Sequence, residues 1–578
     1  MPSFSFSTSS PNSAHQQRLH WWIVSLATII LLALHWHSLG GLFTSDSLGL
    51  IRHCDTLYRQ GQLWQWMGNG FLSGLSVESN YYRPLSNASI CLDYYFYGVE
   101  PLGWRLSQLG LHAVNGFLVY RIGASQAGTR PYAKVTAAVA CALFWFSPAT
   151  PEVSLWIAGR YNVTATLFTL LALWALLAQH FFLTAIAMAL ALCCKESSMI
   201  LPALLASISW YRSELSNNEL QNQAKPNTLA RILNMIRELW PSALVGAAYL
   251  AWRWYLFGDP LSVYPNAEVA LNDVGLHWFD RVLGLFYTLL PDWREHPLFL
   301  SIFAIGLIAA FSASAYRAWR EGNGVLFALP AFWSLIAIVA LLPHLQYLSD
   351  VGQGSRLLYN ASAFLALALA LTWSGKANTE ANQASIKPSP TTAVNRKPIL
   401  ASATTVALLL LIAQWPAQRA WSQVVHYQRS LIHELAQDLH SDDTSTWDLV
   451  LVPDHIGSAL AARNAQGALV LPPFQQQALL TQRIPMVPQD LADWRTRLQE
   501  GVTWPSAQLQ QSKQRWPQRL YCAEPEHGKL IALAMTPADF QAGLQSRQAW
   551  LSLWQAALSN TACAGYVSDT PEQTARAL

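Results

Sequence analysis

About eleven apolar stretches, each bounded by charge or proline, dominate this chain, near 21–39, 103–122, 134–148, 162–178, 180–194, 198–211, 239–257, 297–316, 324–343, 356–374 and 398–415. A bilayer core of ~30 Å takes about 20 apolar residues in helix, so these runs predict a polytopic α-helical membrane protein. Composition agrees. Apolar residues make up 52% of the 578 and charged residues 12%, about half the ~25% usual in soluble domains. A soluble enzyme, a disordered chain and collagen are thereby excluded. The first run is too long for a removed signal peptide and lacks a small-residue cleavage site, so it reads as a retained span. A net charge of +3 over 64.2 kDa is too dilute for a nucleic-acid footprint, and no nucleic-acid partner is expected. The seven cysteines include no CxxC pair or metal-type cluster, so no metal ligands are assigned.

Lysine and arginine set the orientation, because cytoplasmic loops carry their excess. Basic loops follow the second span (Arg121, Arg130, Lys134), the sixth (Arg212, Lys225, Arg231, Arg237), the eighth (Arg317, Arg320) and the tenth (Lys376, Lys387, Arg396, Lys397). All four share one side if the N-terminus is cytoplasmic and 276–290 lies along the membrane. The expected organisation is a cytoplasmic tail at 1–20 and a membrane module at 21–375 with an outer loop at 44–102. A cytoplasmic linker at 376–398, a last span at 399–415 and an extracytoplasmic small α/β domain at 416–578 complete it. Within that domain, strands are expected at 448–452, 468–471, 519–522 and 529–534, helices at 458–464 and 547–558, and a hairpin turn at His527-Gly528. Cys522 and Cys563 both fall on the oxidising side, where a disulfide and a pair of buried thiols are both open readings.

Ionisable groups near membrane depth are costly and are read as functional by default. Asp46, at the outer end of the first span, suits either a general base or a helix cap. Arg83 follows two tyrosines in an aromatic stretch that also holds Asp93, and it suits an interfacial belt. His112 and Asn115 are three apart on one helix face, as interhelical hydrogen bonding requires. Glu152 and Arg160 lie on a short outer helix, Arg160 fitting either a phosphate or an ion pair with Glu152. Lys195-Glu196 breaks an apolar hairpin at the same face, and Arg253 and Arg356 fall near outer span ends. Several cations and one carboxylate on one outer face suit an anionic lipid headgroup.

In order, Asp46, Tyr82-Arg83-Pro84-Leu85, Gly98 to Pro101, Leu111-His112-Ala113-Val114-Asn115, Pro148 with Glu152, Gly159-Arg160, Lys195-Glu196 and Arg356 to Tyr359 resemble membrane glycosyltransferases of the GT-C class. Within that class they are similar to the protein O-mannosyltransferases and tetratricopeptide-linked O-mannosyltransferases, over roughly 20–375. The resemblance implies inverting transfer of a sugar from a polyprenyl-phosphate donor to a protein, lipid or glycan hydroxyl, in a bacterial inner membrane with a periplasmic C-terminal domain. It makes Asp46 the base and puts Arg356, Arg160 and Lys195 on the donor phosphate. Arg83, Asp93, His112, Asn115, Glu152, Glu196 and Tyr359 become supporting or substrate-binding residues. Where relatives carry a second acid, Ser47 stands here, so a divalent metal is left without an acid pair. The tail has no tetratricopeptide or β-trefoil pattern. A lipid or solute transporter, and a catalytically silent scaffold with an outer interaction domain, are the competing classes, although no repeated halves of the transporter kind are present.

Overall fold

The computed structural model describes residues 11–62, 81–217, 228–260, 287–293, 296–341, 354–375, 397–437, 447–462, 466–476, 483–488, 495 and 517–566. Each of the eleven apolar runs is helical: α1 (Pro11–His35), α4 (Pro101–Ala127), α5 (Ala133–Trp145), α7 (Arg160–Leu177), α8 (Phe181–Leu192), α9 (Leu201–Asn217), α10 (Thr228–Phe257), α11 (Pro297–Arg320), α12 (Gly324–Val339), α13 (Tyr359–Leu371) and α14 (Lys397–Ala436). Between them lie α2 (Asp46–Arg59), α3 (Pro84–Tyr97) and the short α6 (Thr150–Leu155). Proline opens α3, α4 and α11, where its missing N–H costs nothing. The linker at 376–396 and the expected membrane-parallel stretch at 276–286 fall outside the described residues.

Three of the four basic loops meet at one end of the bundle. The Tyr132 N–H donates to Ser374 O at 3.0 Å, Arg130 Nε to Asn323 Oδ1 at 3.3 Å, and Asn323 Nδ2 to Gly375 O at 3.1 Å. At the opposite end Leu85 N–H donates to Cys193 O, and Glu152 bonds the turn 354–356. For these three loops the packing groups the same helix ends as the charge pattern does.

Among the described residues four helical stretches are long and apolar enough to cross a membrane: Leu19–Ser38, Ile157–Leu177, Pro297–Arg320 and Ser355–Ser374. Pro297–Arg320 has only 11% of its apolar window buried, leaving Ile302, Ile305 and Ile308 turned outward. An apolar surface of that size on a helix excludes water contact and calls for lipid.

The last helix does not end at the expected boundary of 416; it runs through Pro416 to Ala436 and becomes the stalk of the C-terminal domain. That domain is a four-stranded sheet built from β1 (Asp448–Leu451), β4 (Arg483–Met486), β5 (Arg519–Ala523) and β6 (Leu530–Leu533), ordered β4-β1-β5-β6. The central β1 pairs in parallel with both neighbours, and β5–β6 is an antiparallel hairpin closed at 524–528. Because side chains alternate along a strand, Leu449 and Leu451 of β1 join Trp550 and Trp554 of helix Arg547–Leu558. Val450 and Val452 instead join Tyr427 and Leu431 of α14 and Phe43, Leu48 and Ile51 of the first outer loop. The domain thus packs directly on the segment that carries Asp46.

Two local expectations are corrected. Within the described part of 458–464 there is no helix: β2 (His455–Ile456) and β3 (Ala459–Leu460) form a hairpin around Gly457-Ser458, a turn that Gly457 allows at φ 56°. The expected strand at 468–471 is a 3₁₀ turn (Gln466–Val470), since Pro472 and Pro473 supply no N–H to extend a ladder.

Candidate active site

Asp46 is the first residue of α2, in the turn where a carboxylate gains from the helix dipole, while the N-cap position itself is Ser45 and carries no side-chain capping bond. That N-cap residue is strained. Ser45 has φ 50° and ψ −135°, a conformation costing a non-glycine residue on the order of 1–3 kcal/mol. Neighbouring elements hold the turn. Leu42 N–H donates to Val425 O of α14 at 2.8 Å, and Ser45 N–H to Ala461 O at 2.7 Å. The fully buried Arg105 of α4 donates to Leu42 O at 2.7 Å, and the Ser47 hydroxyl accepts from the Ala158 N–H at 3.1 Å. Ser47 is therefore a structural tie.

Around Tyr161, at the start of α7, the outer ends of the helices converge. The Tyr161 phenol donates to Asn87 Oδ1 at 2.9 Å and lies within electrostatic reach of Asp46, Arg83 and Glu196. The Arg83 guanidinium covers the Tyr81 ring at 4.1 Å and the Tyr161 ring at 5.2 Å, and its Nε donates to Glu196 Oε2 at 2.9 Å. Glu196 Oε1 accepts the Tyr82 N–H at 2.8 Å. The Lys195 ammonium donates to Asn162 Oδ1, one residue beyond Tyr161. Burial and the nearby Arg83 and Arg356 hold that ammonium well below the ordinary lysine range, against the opposing pull of Glu196 and Glu152. Arg356 stacks over Trp156 at 4.7 Å and pairs with Glu152. Glu152 Oε2 also accepts from Arg356 N at 2.8 Å, Ser355 Oγ at 2.8 Å and Gly354 N at 3.2 Å. Three cations, Arg83, Lys195 and Arg356, thus meet two carboxylates, Glu152 and Glu196, an excess of one positive charge when Lys195 carries its proton.

Next to this cluster a small cleft runs between α7 and α12. Asn162, Thr166, Ser197, Arg356 and Asn360 give it a polar side, and Ile200, Ala337, Ala340, Leu341 and Leu357 an apolar one. The buried Oδ1 of Asn360 has no hydrogen-bond partner.

The structure sets other expected residues elsewhere. Arg160 does not pair with Glu152 and does not reach out to a phosphate. Its buried guanidinium donates to Asp93 Oδ2 at 2.5 Å, Ser107 Oγ at 2.8 Å and Gln108 Oε1 at 2.5 Å, which closes it off. Asp93 is thereby a structural counter-ion. Next to Arg160 in sequence, Gly159 must lack a side chain, because a Cβ would lie 2.8 Å from Val153 O. His112 Nδ1 and Asn115 Nδ2 meet the Tyr359 hydroxyl at 2.6 and 3.2 Å, a buried knot joining α4 to α13. Cys522 is bonded to Cys563, and a second disulfide, Cys54–Cys91, joins α2 to α3. Sequence reasoning missed that pair, although both cysteines fall in one outer loop. It also missed Tyr161, Trp156 and Asn162, whose roles depend on which cations lie above them. Among the described residues a metal-type grouping occurs at Glu524, Glu526 and His527, on the β5–β6 turn; Asp46 is not in it.

No protein-family model and no curated protein matches the chain. Among solved structures it is similar to the Archaeoglobus fulgidus oligosaccharyltransferase tethered to an acceptor peptide, with 12% identity and a TM-score of 0.40 over 75% of this chain. That match spans 61% of the archaeal chain's length. It is also similar to ArnT from Cupriavidus metallidurans bound to undecaprenyl phosphate, with 11% identity and a TM-score of 0.39 over 86% of this chain and 93% of the other.

Proposed function

We propose that the outer cleft belongs to a GT-C-type glycosyltransferase that moves a sugar from a polyprenyl-phosphate donor to a hydroxyl of a protein, lipid or glycan on the extracytoplasmic side. The observation that carries this reading is the convergence of the cations Arg83, Lys195 and Arg356 with Glu152 and Glu196 around Tyr161, which also lies within electrostatic reach of Asp46. Asp46 takes the proton from the acceptor hydroxyl as its oxygen attacks the anomeric carbon. The bond from that carbon to the phosphate oxygen breaks on the opposite face, and the phosphate leaves with the electron pair. Lys195 and Arg356 receive the growing negative charge, and fixed charges in a poorly hydrated cleft stabilise it without reorganising. The polyprenyl chain stays in lipid. Arg160 supports the site through α7, with its Nε bonded to Gln108 and one terminal nitrogen to Asp93 and Ser107.

The test is transfer from a radiolabelled polyprenyl-phosphate sugar by purified protein in lipid. Asp46→Asn keeps size and hydrogen bonding but removes basicity, so turnover should fall ~10²- to 10⁴-fold with donor binding unchanged. Full transfer by Asp46→Asn, or wild-type protein that binds no polyprenyl phosphate but moves a solute across vesicles, would replace the reading with a transporter.

A further inference from the structure

We infer that the C-terminal domain is part of the machinery that presents Asp46: Gln428, acting through the Ala461 carbonyl, holds Ser45 in its left-handed backbone conformation and is a positioning residue for the base. The inference rests on the reading of Asp46 as that base. Ala461 O accepts two hydrogen bonds, from Ser45 N–H and from Gln428 Nε2, both at 2.7 Å. Its own N–H donates to Asp454 O at 2.8 Å, which fixes the peptide on the other side. Ser45, Ala461 and Gln428 are all fully buried, so water cannot replace a lost bond. Gln428 Oε1 has no partner, so the hydrogen bond this amide makes in the structure is the one to Ala461. One turn earlier on α14, Val425 O receives the Leu42 N–H, so a single helix face anchors both ends of the strained turn. A serine at φ 50° stays there only while its surroundings over-determine it. Release of Ser45 toward ordinary φ would swing the next residue, Asp46, away from Tyr161.

Gln428→Met keeps the volume and removes the donor. The expected result is a turnover reduced ~10- to 100-fold, as for other small misplacements of a reacting group, with the affinity for polyprenyl phosphate unchanged. Amide hydrogen exchange over 42–48 should be faster than in the wild type. Gln428→Asn, which keeps the amide but is too short to reach, should give the same pattern and serves where the methionine variant does not accumulate. Ser45→Gly removes the steric objection to the turn, so Ser45→Gly/Gln428→Met should recover most of the turnover that Gln428→Met loses. Wild-type turnover and exchange in Gln428→Met would overturn the inference. So would a double variant no better than the single one, or donor affinity lost in step with turnover. The exchange measurement needs no activity: if Asp46→Asn retained transfer, the base assignment would fail while exchange at 42–48 still decided whether Gln428 holds the turn.

Discussion

Glu152 and Arg356 are joined twice. One carboxylate oxygen takes the Arg356 guanidinium and the other takes the Arg356 backbone N–H at 2.8 Å, together with Ser355 Oγ and Gly354 N. A carboxylate on α6 therefore shapes the turn that opens α13 and orients the cation on it. The two residues carry different loads. Glu152→Ala leaves buried donors without an acceptor, each costing about 1–3 kcal/mol, and should lower the melting temperature in detergent. Arg356→Ala leaves the other three donors in place, so the protein should stay folded while polyprenyl-phosphate affinity falls, a charge-assisted contact having been removed. Arg356→Ala with wild-type donor affinity would remove it from the phosphate site.

Arg160 and Asp93 form a buried ion pair at this end of the bundle. Removing one partner from such a pair leaves an uncompensated charge, and Arg160→Met alone should cost about 3–5 kcal/mol. Arg160→Met/Asp93→Asn should be clearly more stable than Arg160→Met, because no charge is then stranded. Thermal unfolding of the two variants in the same detergent decides it. A double variant less stable than the single would mean that the guanidinium serves something other than Asp93.

Much of this arrangement was legible before the fold. The apolar runs set eleven helices, and the basic loops sorted the helix ends, because both depend on local composition alone. That sorting by itself put Asp46, Arg83, Glu152, Lys195 and Arg356 on one face. Which partner each charge takes was not legible. Arg160 and Glu152 are eight residues apart, and nothing in their spacing says that α6 turns Glu152 toward Ser355 while α7 turns Arg160 toward α3. Ser47 looked like a lost acid, since a tie to Ala158 depends on a packing distance and not on a motif. The same holds for Cys54 and Cys91, which come together only when α2 lies along α3. The bond from Ser45 to Ala461 spans more than four hundred residues, beyond the reach of any periodicity.

Both disulfides lie on elements assigned to the outer face, the compartment in which such bonds persist. Non-reducing peptide mapping of protein from the native membrane should find Cys54 with Cys91 and Cys522 with Cys563, and Cys141, Cys193 and Cys194 free. Replacing Cys54 and Cys91 together by alanine should cost ~2–4 kcal/mol, as for loops of this length. Ser385→Cys should label with an impermeant reagent only after the cells are opened. Strong external labelling there would reverse the orientation and move the cleft to the cytoplasm.

On the proposed function, Lys195 is expected to give donor binding a pH dependence. Burial first, then Arg83 and Arg356, hold its ammonium well below the ordinary lysine value of ~10.4. A group with a lowered pKa loses its proton early as pH rises, so one of the three cations is lost at a pH where a free lysine would still be charged. Polyprenyl-phosphate affinity should therefore weaken on the alkaline side, through the lowered pKa and not through ~10.4. A bound phosphate favours the ammonium and raises that pKa again, so binding in this window must take up protons from the buffer. Titration calorimetry in two buffers of different ionisation enthalpy measures the uptake directly. Lys195→Met should abolish it and weaken binding at neutral pH. Lys195→Arg, which keeps its charge to far higher pH, should abolish the uptake while moving the alkaline limb upward. Proton uptake that persisted in Lys195→Met would assign the linkage to another group and remove Lys195 from the phosphate.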